Sequence, residues 1–234
     1  MIDSLALSTL DWWVEAGVDT LVEDEARDWL AAATPAAAPA ADAAAVPAAA
    51  PALPQDLAGL RQWLLTDASV PGAPAARIDA SGDAASGIVI VVDMPEAGDR
   101  AAGQLLSGET GALFDRMLAA MQLARTGLYL LPFSPARAPT GKVGAAEAAV
   151  LAPLLRRHLA LARPKRLLLL GDAPARALLD MPLLRARGAA HSIEIDGAMV
   201  PTVASFHPRL VLDRPDYRKT VWGDLQMFMA LSDA

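Results

Sequence analysis

Apolar residues occur in short runs along the later three quarters of this chain, and amphipathic segments separate the runs. Five runs rich in Val, Ile and Leu predict β-strands at Ile88–Val92, Leu128–Leu131, Arg166–Leu170, Ser192–Ile195 and Met199–Ala204. Apolar residues at helical spacing predict helices at Leu57–Leu65, Gly111–Ala124, Ala145–Ala162, Ala173–Leu179 and Pro215–Met229. This alternation of strands and helices favours an α/β fold, in which helices cover both faces of a mostly parallel sheet.

A parallel sheet of this kind binds its ligands at the carboxyl ends of its strands. Applied to the predicted strands, this rule selects the segments that follow Val92, Leu131, Leu170 and Ala204. We therefore expect the functional residues to lie in these four segments.

The N-terminal part of the chain differs from the rest in composition. Apolar residues at helical spacing in residues 3–30, with three Trp among them, indicate an arm that packs either on the protein itself or on a partner protein. Residues 31–54 hold 15 Ala and five Pro, which is too little apolar bulk for a core and too much Pro for a continuous helix. We predict an acidic helical arm at 1–30, a flexible Ala/Pro-rich linker at 31–54 and a folded domain at 55–234.

The negative charge of the protein is concentrated in the N-terminal part. The whole chain has a net charge of −7, whereas residues 1–60 hold ten acids and one base. Residues 61–234 are close to neutral, with 17 acids and 19 bases. A nearly neutral domain neither supports nor excludes contact with nucleic acid.

Composition also limits the kinds of site. The sequence has no cysteine, which excludes disulfides, thiolate zinc sites and Cys-ligated iron–sulfur clusters. The three histidines are far apart and lack metal-ligand spacing, so we expect no cofactor. No apolar run reaches the roughly 18–20 residues of a membrane span, and the N-terminus has no basic region typical of a secretory signal. We therefore expect a cytoplasmic protein without membrane contact.

An ordered set of short motifs covers residues 87–234. Its last part is Ser205-Phe206-His207-Pro208, followed by Leu210, Leu212, Pro215, Arg218, Lys219, Trp222, Asp224 and Leu225. Earlier members are Gly103, Gly108, Gly111, Arg163-Pro164-Lys165 and Leu170-Gly171. The set resembles family 4 of the uracil-DNA glycosylases. The resemblance implies a three-layer α/β/α fold with a central, mostly parallel four-stranded sheet, and DNA as a partner.

Proteins of that family flip a uracil nucleotide out of DNA and hydrolyse its N-glycosidic bond. The resemblance implies that Asp93 and Asp99 stand where the family has catalytic carboxylates. It also implies that His207 donates a hydrogen bond to the uracil oxygen that gains charge as the bond breaks. Both acids are one methylene shorter than the Glu of the family, and a displacement of that size can lower the rate severely.

The implied base pocket departs from the family at most positions. Its residues are Met94, Pro95, Leu106 and Pro132. The stacking aromatic of the family falls on Leu106 and its uracil-reading Asn on Pro132, so the π face and the paired hydrogen bonds are both lost. Val92 and Glu96 replace two glycines, and Glu96 adds a negative charge. The cysteines that bind an iron–sulfur cluster in the family are absent, and some of them would lie in residues 66–86. We therefore expect this segment to be freer than in the family.

Basic residues near the expected site have two interpretations. Arg137 and Lys142 lie where the family has a basic, Pro-rich loop, and Arg209 follows the His207-Pro208 motif. They either bind DNA phosphates or are ordinary solvated charges balanced by neighbouring acids.

The sequence leaves three functional hypotheses. The first is a degenerate glycosylase with weak or no uracil excision, which acts in DNA repair as an accessory or interaction module and uses its N-terminal arm to bind a protein. The alternative is an active DNA glycosylase that releases uracil or another damaged base, using Asp93 or Asp99 and His207. The third is an unrelated α/β binding protein of the same architecture, since a fold does not determine a function.

Overall fold

The computed structural model describes residues 53–231. The predicted acidic arm and nearly all of the predicted linker therefore lie outside the described residues. The described strands are β1 Ser81–Gly82, β2 Ile88–Val92, β3 Tyr129–Pro132, β4 Arg166–Leu170, β5 Ala190–Ile195 and β6 Ala198–Ser205.

Four parallel strands form the centre of the sheet in the order β3-β2-β4-β6. The short β1 pairs antiparallel with β3 at one edge, and β5 pairs antiparallel with β6 at the other. The predicted mostly parallel four-stranded centre is confirmed, and the two edge strands bring the sheet to six. β5 and β6 are joined through Asp196 and Gly197, both with positive φ (51° and 80°), as expected for a tight Asp-Gly hairpin turn.

The described helices are α1 Leu57–Thr66, α2 Asp99–Ala102, α3 Gly108–Ala120, α4 Ala145–Ala162, α5 Asp172–Leu179, α6 Leu183–Ala186, α7 Pro208–Asp213 and α8 Arg218–Met229. α4 has the predicted bounds and ends where Arg163 takes a left-handed φ of 51°. The sequence pattern missed α2, α6 and α7 because they are too short to develop a hydrophobic period. The predicted helix at Pro215–Met229 begins with a 3-10 turn at Pro215–Tyr217. None of the helices in residues 53–231 has the length and apolar character needed to cross a bilayer.

The two middle strands of the sheet are completely buried. Val89–Val92 in β2 and Leu167–Leu170 in β4 have 0 % exposure, because helices cover both faces. One polar pair is buried beside them, with the Tyr129 hydroxyl 2.9 Å from His158 Nε2. Burial raises the pKa of Tyr129 to about 12 and lowers the pKa of His158 to about 4. Both groups are therefore neutral at pH 7, and the hydroxyl and the imidazole share one hydrogen bond within the core.

The segment between α1 and β1 is organised by one buried arginine. Arg77 is only 4 % exposed. Its guanidinium donates to the carbonyl oxygens of Leu64, Asp67, Val70 and Gly72 over distances of 2.5–3.2 Å. Five charge-assisted hydrogen bonds therefore hold the first half of the segment at 66–86, and the expectation that this segment is freer than in the family stays a prediction.

Candidate active site

The carboxyl ends of β2, β4 and β6 bring Asp93, Gly171 and His207 to one edge of the sheet. The register of these parallel strands aligns their last residues. A cavity of about 370 Å³ opens at this edge, and its lining residues are Asp93, Met94, Glu96, Arg137, Gly141, Lys142, His207, Arg209, Leu210 and Asp213. The cavity lies where the strand rule placed the site, and the loop after β3 supplies its basic wall.

Asp93 is a largely buried carboxylate held against the N-terminus of α5. Its Oδ1 accepts a hydrogen bond of 2.9 Å from the backbone N–H of Ala173. Burial, with a smaller contribution from the charge of Asp172, raises the pKa of Asp93 to about 7. Gly171 has φ 124°, and a Cβ there would overlap the Asp93 carboxylate. The close approach of backbone and carboxylate therefore requires glycine at position 171.

Asp99, the second predicted carboxylate, has different surroundings. It has 0 % exposure and accepts four hydrogen bonds of 2.6–2.8 Å, from the backbone N–H groups of Glu96, Leu106 and Ser107 and from the Ser107 hydroxyl. These bonds occupy both oxygens of the carboxylate. Asp99 thus fixes the loop between β2 and α3, and it does not line the cavity that contains Asp93.

His207 caps α7 and faces the same cavity as Asp93. Its Nδ1 accepts from the backbone N–H of Arg209 at 3.3 Å. Burial, helped by the positive charges of Arg209 and Arg137, lowers the pKa of His207 to about 4. A neutral imidazole whose Nδ1 accepts carries its proton on Nε2. Nε2 is buried and has no hydrogen-bond partner among residues 53–231, although the residue lines the cavity.

Glu96 lies between the cations of the cavity wall. Its side chain is 10 % exposed and contacts Arg209 Nη1 directly through Oε2. The same oxygen is 3.7 Å from Arg137 Nη1, and Oε1 is 3.8 Å from His207 Nδ1. Two of the predicted DNA-binding residues therefore have their charge partly compensated from within the chain.

The four predicted base-pocket residues do not line one common cavity. Met94 lines the cavity with Asp93 and His207, whereas Pro95 contributes a carbonyl that accepts from Arg137 at 3.1 Å. Leu106 is 1 % exposed in the core, with a left-handed φ of 52°. Pro132 borders a separate cavity of only about 30 Å³. Neither Leu106 nor Pro132 lines the cavity that holds Asp93 and His207.

A second, larger cavity adjoins the first and shares Asp93, Met94 and Lys142 with it. Its volume is about 780 Å³, and its apolar floor consists of alanines from α4 and α5. Alanine side chains leave this space open beside the Asp93 carboxylate. Together the two cavities exceed the volume that a single pyrimidine base fills.

The protein-family model of the uracil DNA glycosylase superfamily matches residues 80–226 of this sequence, which span most of the described residues. The chain belongs to the uracil DNA glycosylase superfamily. It is 26 % identical over 158 residues to a type-4 uracil-DNA glycosylase of Pyrobaculum aerophilum, covering 64 % of this chain and 81 % of that protein. It is 27 % identical over 146 residues to a type-4 uracil-DNA glycosylase of Archaeoglobus fulgidus, covering 59 % and 73 % respectively.

Within this superfamily fold, the structure groups six of the predicted site residues around one cavity. They are Asp93, Met94, Arg137, Lys142, His207 and Arg209. Two features of the site were missed from the sequence, namely the contact of Asp93 with the backbone at 171–173 and the bridging position of Glu96. A glycine directly after a buried strand is a signal for the first, whereas the second depends on how separate loops meet in space.

Proposed function

We propose that this superfamily member has weak or no uracil excision and acts in DNA repair as an accessory or interaction module. The observation that carries the proposal is the lining of the Asp93–His207 cavity by charged side chains. Among the described residues that line it there is no Phe, Tyr, Trp, Asn or Gln. A uracil in this cavity would be next to Glu96, Arg137 and Arg209, none of which presents the paired donor and acceptor that the uracil edge requires.

The expected loss of uracil discrimination is large. A site that reads a polar edge loses on the order of 10⁴-fold discrimination when its matching group is removed. The loss of an aromatic stacking partner removes about a further 1–3 kcal/mol. The accessory role would engage DNA through Arg137, Lys142 and Arg209, and a protein partner through residues 1–30. A cytoplasmic location stays a prediction from the sequence.

A second candidate function is excision of another base, and the geometry of Asp93 and His207 favours it. As the bond between C1′ and the base breaks, the base takes the electron pair, and the unpartnered His207 Nε2–H would donate a hydrogen bond to a base that reaches it. The Asp93 carboxylate, ionised above about pH 7, would stabilise the sugar cation or orient the water whose oxygen bonds to C1′. The larger adjoining cavity gives room for a base bulkier than uracil.

A panel of single-stranded oligonucleotides, each with one damaged base, separates the two candidate functions. If the protein excises a base, we expect His207→Ala to lower single-turnover release at least 10²-fold, because the donor to the leaving base is lost. Release is expected to rise with pH through about 7 as Asp93 ionises. His191→Ala is the matched control, since His191 lies on edge strand β5 and its imidazole forms a hydrogen bond with the Ala186 carbonyl, away from the Asp93–His207 cavity.

Two results of the panel would decide the matter. If the unmodified protein releases none of the bases, excision as the function is contradicted and the accessory role is supported. If His207→Ala and His191→Ala retain equal release of a base, the catalytic role of His207 is contradicted.

A further inference from the structure

Arg137 and Arg209 converge on a single carboxylate at the mouth of the Asp93–His207 cavity. Arg209 donates to Glu96 Oε2, and Arg137 Nη1 is 3.7 Å from the same oxygen. The side chain of Arg209 is 49 % exposed and that of Arg137 is 35 % exposed, whereas that of Glu96 is 10 % exposed. The Glu96 side chain is thus less exposed than either arginine side chain, and Arg137 Nη1 also donates to the Pro95 carbonyl at 3.1 Å.

This arrangement has the chemistry of a site for an oxyanion. Guanidinium groups recognise carboxylates and phosphates with the same planar donor geometry. Two arginines that meet one carboxylate oxygen could equally meet one phosphate oxygen. The Glu96 carboxylate therefore occupies the place where a phosphate would be bound.

We propose that Arg137 and Arg209 form a phosphate-binding site for single-stranded DNA, which the chain fills with its own Glu96 side chain. Glu96 is then the residue that sets how strongly this protein binds nucleic acid. The inference rests on the proposed accessory role and names the DNA-binding surface and its internal competitor.

The backbone around Glu96 explains why its carboxylate stays at the cavity mouth. The Glu96 N–H donates to Asp99 Oδ2 at 2.8 Å, and Asp99 is itself fully buried. The main chain is therefore fixed, and the site can be vacated only by rotation of the Glu96 side chain. A phosphate that displaces this side chain must overcome the ion pair with Arg209 and the repulsion between two anions.

Asp213 is another acid that lines the cavity, but it does not pair with Arg137 or Arg209 as Glu96 does. Lys142 and Asp213 line the same wall and have opposite signs. Asp213 is exposed, and it forms no ion pair with another described residue. Asp213→Asn therefore removes the same charge from the same cavity without freeing either arginine, which makes it a matched control for Glu96→Gln.

The test compares the full-length protein with Glu96→Gln and Asp213→Asn in binding to a fluorescent oligothymidylate, by anisotropy. We expect Glu96→Gln to bind about tenfold more tightly near 50 mM salt. The slope of log affinity against log salt is expected to steepen by about 0.7, because one more phosphate is neutralised at about 0.7 per phosphate on a single strand. Asp213→Asn is expected to change the affinity less than twofold. Replacing Arg209 by Gln in the Glu96→Gln variant is expected to reverse most of the gain.

Several outcomes would overturn the inference. Equal affinity and slope for the unmodified protein and Glu96→Gln, or no binding by either, contradicts it. An equal gain in affinity for Asp213→Asn shows a general charge effect and contradicts the inference. If Glu96→Gln gains affinity for inorganic phosphate but not for the oligothymidylate, the site binds the free ion, which also contradicts it. Uracil excision by the unmodified protein would contradict the proposed function instead, and the binding comparison would still decide the role of Glu96.

Discussion

The Asp93→Asn variant is expected to be more stable than the unmodified protein at pH 8 by about 4 kcal/mol, with most of the gain lost by about pH 4. The cause is the environment of the carboxyl group. Asp93 has a pKa of about 7 in the folded protein, against 3.8 for an ordinary Asp. Asn has nearly the same shape, can accept the hydrogen bond from the Ala173 N–H, and has no charge to desolvate.

The sign of this effect follows from the raised pKa. The folded state holds the Asp93 proton more tightly than the unfolded state, so the contribution of Asp93 is most favourable below about pH 4. It is lost as the pH rises through about 7, where the buried group must ionise. A residue that lowers stability where it is charged is typical of a functional site.

Urea unfolding at pH 5 and pH 8 measures this difference, and Asp213→Asn serves as the control. The Asp213 carboxylate is exposed, so its replacement is expected to change the free energy of unfolding by no more than about 0.5 kcal/mol at either pH. A gain for Asp93→Asn that is equal at the two pH values would contradict the assignment of Asp93 as a desolvated carboxyl group.

The Arg77→Met variant is expected to lower the free energy of unfolding by about 3–5 kcal/mol. Methionine fills much of the volume but donates no hydrogen bond, so four carbonyl oxygens lose their partners. Lysine keeps the charge yet lacks the planar fork that reaches all four oxygens, so Arg77→Lys is expected to recover only part of the loss.

The control for Arg77 is Arg100→Met. Arg100 is exposed and makes a single hydrogen bond to the Ala75 carbonyl, so about 0.5–1 kcal/mol is expected from its loss. Urea unfolding followed by circular dichroism compares the variants. Equal losses in Arg77→Met and Arg100→Met would contradict the organising role of Arg77.

The parallel centre of the sheet was predictable because each of its strands is a buried apolar run. The pattern of Ile88–Val92 and Arg166–Leu170 requires cover on both faces, and the long helix between Ala145 and Ala162 has a clear period. The short β1 and the short helices were missed, since two to six residues contain no period to detect. The organising role of Arg77 was missed because its partners are backbone carbonyls, which the sequence does not distinguish.

The site was predictable where the functional residue directly follows a strand. Asp93 follows β2, and His207 is two residues beyond the end of β6, so the strand rule and the family motif both indicate them. Asp93 and Asp99 could not be distinguished before the structure was known, because they differ in their surroundings. One faces a cavity with a raised pKa, and the other is enclosed by four hydrogen-bond donors.

We propose that this superfamily member excises uracil weakly or not at all. Single-turnover release of uracil from single-stranded DNA tests this proposal, with the type-4 uracil-DNA glycosylase of Pyrobaculum aerophilum assayed as the positive control. We expect release by the unmodified protein to be at least about 10⁴-fold slower than release by that relative, because none of the described residues that line the cavity is an Asn or Gln that could read the uracil edge. Release at a rate similar to that of the relative, and lost in His207→Ala, would contradict it.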